Sequence, residues 1–66
     1  MDDLHRYHVA LILNSAPARH GWWGVEGVAR EKFRLWVGEC SGQAGSRVTL
    51  TDEQRGTVLT TWPDTP

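Results

Sequence analysis

Apolar and polar positions alternate with a period of two over His5–Leu13. Tyr7, Val9, Leu11 and Leu13 fall on one side and His8, Ala10 and Ile12 on the other, the signature of a half-buried strand. The same stretch also sets Leu4, Tyr7, His8, Leu11 and Ile12 at helical spacing. Asn14-Ser15-Ala16-Pro17 breaks the pattern and predicts a loop running to Gly21. Trp22–Val28 is apolar with Gly24 and Gly27 interspersed, as in a strand with a bulge or tight bend. Phe33, Leu35 and Val37 alternate with Arg34 and Trp36 and read as a third strand.

The segment between them, Ala29-Arg30-Glu31-Lys32, has no turn residue and is made of good helix formers. A competing helix over residues 25–37 aligns Trp22, Val25, Ala29, Phe33 and Trp36 on one stripe. Beyond the glycine-containing loop Cys40–Ser46, Arg47–Leu50 reads as a short strand. Thr51-Asp52-Glu53-Gln54 fits a capping box, with Thr51 as N-cap and Gln54 as the third helical residue. Gly56 and the threonines at 57, 60 and 61 disfavour a longer helix, so a closing strand Thr57–Trp62 is expected after one helical turn.

Five short strands and one helical turn predict a mostly β domain, a small barrel of SH3-like or Sm-like architecture spanning residues 1–62. The alternative is a small α+β domain in which residues 25–37 or 52–62 are helical. Residues 63–66, Pro-Asp-Thr-Pro, are expected to form a disordered tail.

Size sharpens this picture. A chain of 66 residues buries only about 60% of the surface it exposes when unfolded. Cores this small commonly need a staple or a partner. Cys40 is the single cysteine, which excludes an internal disulfide and fits a reducing compartment. The acidic start Met1-Asp2-Asp3 and the five-residue apolar run Val9–Leu13 match neither a secretory leader nor a membrane span. A cytoplasmic protein with no membrane partner is therefore expected. Six arginines against one lysine suit a GC-rich bacterial or phage genome.

The formal charge of −1 lacks the basic excess typical of nucleic-acid binders. Four tryptophans in so short a chain change the balance more, because a small interior cannot hide four indoles. The expected function is a non-enzymatic protein–protein interaction module that oligomerises or docks onto a larger assembly. Trp22, Trp23 and Trp36 are its expected anchors and Arg34 its polar rim. Adjacent Trp22 and Trp23 on a strand must point to opposite faces, so one of them faces outward. The alternative is a barrel binding RNA or single-stranded DNA, with Arg30, Lys32, Arg34 and Trp36 on one strand face.

Catalysis is not expected, since no nucleophile, base and pocket fall together in the pattern. His5, His8, His20 and Cys40 have the chemistry of zinc ligands, but their spacing fits no zinc motif. On a strand, moreover, His5 and His8 face opposite ways. No metal and no cofactor are expected.

Overall fold

A computed structural model describes residues 5–63. The chain runs β1 (Tyr7–Leu13), β2 (Ala16–Trp23), α1 (Glu26–Cys40), β3 (Ser46–Asp52) and β4 (Thr57–Trp62). The four strands form one antiparallel sheet in the order β2-β1-β3-β4. Two hairpins thus lie side by side, joined through the helix, which packs on one face. Beyond Pro63, the expected tail lies outside the described residues.

The mostly β class with an α+β layout holds, but the closed five-stranded barrel does not. The sheet is open, with β2 and β4 at its two edges. The reason lies in residues 26–40, where helix propensity wins over the period-two coincidence of Phe33, Leu35 and Val37. Ala29, Trp36 and Cys40 are buried along α1, with Phe33 and Val37 packed beside them, whereas Leu35 faces solvent. Glu26 pairs with Arg30 one turn later at 2.6 Å, and Glu31 pairs with Arg34. Such exposed pairs contribute about 0.3–0.5 kcal/mol each to a helix. Segment 52–62, the other helical alternative, is a turn followed by β4, which coincides with the expected closing strand.

The core is a ladder of cross-strand pairs beneath the helix: Val9 opposite Leu50 and Leu11 opposite Val48. Val9, Val48 and Leu50 are completely buried. At one end of this ladder Tyr7 faces Asp52. The Asp52 carboxylate receives Arg6 Nε at 3.2 Å and Nη2 at 3.1 Å. It also accepts the backbone N–H groups of Gln54 and Arg55. The Arg6 guanidinium, aided by these N–H groups, holds the Asp52 carboxyl below its ordinary value against the opposing effect of burial. This Asx-type turn replaces the helical turn expected at 52–54; Asp52, rather than Thr51, supplies the capping oxygen. At the other end, the buried Ser46 hydroxyl lies 3.1 Å from the Cys40 carbonyl and 2.7 Å from that of Gln43, closing the end of α1.

The loop expected over residues 14–21 is instead a two-residue turn followed by an edge strand. Asn14 and Ser15 have φ of 51° and 69°, the left-handed pair that a tight hairpin demands. Pro17 is tolerated because β2 is an edge strand, where a missing N–H costs no ladder bond. No helix among the described residues is long and apolar enough to cross a membrane.

Candidate binding face of the sheet

A β-bulge decides which residues reach the open face. Leaving the turn, Leu13 pairs with Ala16 and Ile12 with Pro17, but Leu11 pairs with Arg19. Ala18 is the extra residue. A one-residue shift of register moves every following side chain to the opposite face. Without the bulge, Trp22 and His20 would point at the helix. With it, Trp23 packs against the core and Trp22 lies opposite His8 on the uncovered face. Gly21 serves the same arrangement: a Cβ there would stand 2.7 Å from Cη2 of Trp23.

Beneath the helix, Trp23 meets Trp36 edge to face at 6.0 Å between ring centres. Arg19 places its guanidinium 5.3 Å above the Trp36 ring and pairs with Glu39 at 3.1 Å. Trp36 is only 8% exposed. These two indoles are structural members of the core, and Trp62 packs against the same cluster.

The open face carries the other arrangement. Trp22 is 40% exposed and stacks on His8, with ring centres 4.5 Å apart and planes 13° from parallel. The His20 ring stands edge-on to Trp22 at 4.7 Å, and that of His5 lies 6.2 Å away. Nε2 of His8 is 3.4 Å from Nδ1 of His20. On its other side, His8 Nδ1 lies 3.3 Å from Oε2 of Glu53. The backbone places Glu53 there, since its N–H donates to the Arg6 carbonyl at 2.7 Å. Partial burial pushes the His8 imidazole below its ordinary value and His20 adds to this, while Glu53 pulls the other way. The net result favours neutral His8. Glu53 faces Nδ1 of His8, while Nε2, on the other side of the ring, faces Nδ1 of His20.

The rest of this face is smaller and polar. Ala10 and Ile12 follow His8 along β1, and Thr49 and Thr51 lie on β3. Thr61 on β4 has its hydroxyl 3.3 Å from that of Thr49 and 3.4 Å from the Arg47 guanidinium. The described residues enclose no pocket, so this is a surface.

Trp22, Trp23, Arg34 and Trp36, expected as one partner-binding set, are not brought together. Trp23 and Trp36 are inside, and Arg34 lies on α1, across the sheet from Trp22. Arg30, Lys32, Arg34 and Trp36 do not share a face either. At 100° per residue, Arg30 and Lys32 sit roughly 200° apart around the helix. Trp36 turns inward, and Arg30 and Arg34 are tied to Glu26 and Glu31. The pattern left out His8, His20 and Glu53 as a group, because β2 was hidden by its loop-like composition.

The chain matches no known protein family, no curated protein and no solved structure.

Proposed function

We propose that the protein is a non-enzymatic interaction module that docks onto another protein through the open face of its sheet, with Trp22 as the anchor. One observation carries this reading. Of four tryptophans, Trp22 alone is exposed, and its ring stacks on that of His8. A large exposed aromatic is the residue type that dominates interface energetics. The surrounding Ala10, Ile12 and threonine hydroxyls provide a mixed apolar and polar surface around it. A specific complex would bury about 800 Å² on each side.

The nucleic-acid alternative draws no support from the residue set that suggested it, because the helix turns Lys32 away from Arg30 and Arg34 and buries Trp36 against the sheet.

The reading is tested by measuring association of wild type, Trp22→Ala and Arg34→Ala. Sedimentation across a dilution series tests self-association. Quantitative capture by the immobilised chain tests foreign partners. Trp22→Ala should weaken association at least tenfold with an unchanged circular dichroism spectrum, as expected for a central aromatic anchor. Arg34→Ala should leave it unchanged. Loss on Arg34→Ala with retention in Trp22→Ala would move the interface to the helix side and overturn the reading.

A further inference from the structure

We propose that His8 and His20 form a two-histidine site for a divalent transition-metal ion, with Glu53 orienting His8 from behind. The distance between the facing nitrogens is the first ground. At 3.4 Å, His8 Nε2 and His20 Nδ1 are well beyond the usual ~2.9–3.0 Å of a nitrogen hydrogen bond. Two imidazole nitrogens each ~2.0–2.1 Å from a tetrahedral ion stand roughly 3.3–3.4 Å apart. The ring centres are 5.5 Å apart and the planes 89° apart, so the imidazoles meet edge on, without face-to-face contact.

The second ground is the carboxylate. Ligating histidines typically direct their other ring nitrogen to a carboxylate or carbonyl, which fixes the tautomer and raises the basicity of the ligating nitrogen. Glu53 stands 3.3 Å from Nδ1 of His8 and occupies that position. The third is preorganisation and access. Trp22 stacks on one face of the His8 ring, while His20 is exposed and the side chain of His8 retains 22% of its surface.

No group of three or more His, Cys, Asp or Glu side chains converges on one point among the described residues. The remaining positions on the ion therefore belong to water, which makes this an exchangeable site rather than a structural one. Imidazole pairs suit zinc, nickel and copper, and affinity should rise toward Cu²⁺ in the order general for such ligands. Cys40, the last residue of α1, is buried on the other side of the sheet and takes no part. The site needs no docked protein, so its test is separate from that of the Trp22 interface.

The experiment is calorimetric titration of the full chain with zinc chloride and, separately, nickel chloride near pH 7.5, with tryptophan emission followed during the nickel series. One ion should bind per chain, and nickel should quench emission, since Trp22 stacks on a ligand. His8→Gln and His20→Gln should each weaken binding at least tenfold. Glu53→Gln should weaken it roughly tenfold, as removal of such supporting groups commonly does. Circular dichroism should be unchanged throughout, because all three side chains lie on the open face. Absence of binding at millimolar zinc and nickel would overturn the proposal. So would wild-type affinity in both histidine variants, or loss in His5→Gln with retention in His20→Gln.

Discussion

The two faces of the sheet are built from the same strands and differ in almost every other respect. Under the helix, alternate positions hold Val9, Leu11, Val48 and Leu50, packed without polar interruption until the Arg6–Asp52 pair at one end. On the open face the intervening positions hold His8, Ala10, Thr49 and Thr51, with Trp22 and His20 from the neighbouring strand. One face supplies the burial that stabilises the chain. The other displays aromatic and imidazole groups whose arrangement the core does not require. Stability and recognition are thereby separated by the two-residue period of the strand, and one bulge at Ala18 assigns each tryptophan of the adjacent pair to its face.

Substitutions on the two faces should therefore behave in opposite ways. The largest effect is expected at the centre of the covered face. Leu50→Ala or Trp36→Ala should destabilise by about 3–5 kcal/mol, enough to unfold much of so small a domain, as read from urea denaturation. If either variant keeps wild-type stability, the helix does not cover this face as described.

The ion pair at the rim of the core comes next. The Asp52 carboxyl is held below its ordinary value when folded, so its contribution is present above the unfolded value, near pH 4, and is lost as acid carries the pH through the folded value. Denaturation midpoints between pH 6 and pH 3 should fall steeply in wild type and less in Asp52→Asn, which should be weaker at pH 6 to begin with. Parallel curves would show that Asp52 is not the titrating group.

Gly21→Ala should cost about 1–3 kcal/mol, the usual size of an overpacking strain, because the added methyl meets the Trp23 ring that rests against Trp36. A neutral result would mean that Trp23 is not held there. Ser15→Gly should act in the other direction. Its φ of 69° suits glycine, and relief of a left-handed side chain should stabilise by up to about 1 kcal/mol in a thermal melt. The smallest effect on stability belongs to Trp22→Ala, under about 1 kcal/mol for an exposed side chain, although its effect on association should be the greatest of all.

How much of this was legible in the sequence follows from the same physics. The alternation in β1 and the threonine-rich β4 show plainly, because a half-buried strand imposes its period on the residues. The opposite facing of Trp22 and Trp23 follows from adjacency alone. The helix was obscured because Phe33, Leu35 and Val37 mimic a strand, and only the run Ala29-Arg30-Glu31-Lys32 argued otherwise. β2 was obscured because Asn14-Ser15-Ala16-Pro17 has the composition of a loop, whereas Pro17 is simply at an edge. The histidine cluster was the least accessible. A two-residue turn at Asn14-Ser15 would place Trp22 and His20 under the helix, and nothing in Pro17-Ala18-Arg19 announces the bulge that moves them to the open side. Register, unlike periodicity, is set by the packing of the whole sheet.

The division between the faces is tested most directly by the four indole N–H resonances of the ¹⁵N-labelled protein, assigned by single Trp→Phe variants and titrated with a soluble paramagnetic gadolinium complex. The indole of Trp22 should broaden first and that of Trp36 last. Early broadening of Trp23, with Trp22 protected in the monomer, would place the adjacent tryptophans on the wrong faces and contradict the account.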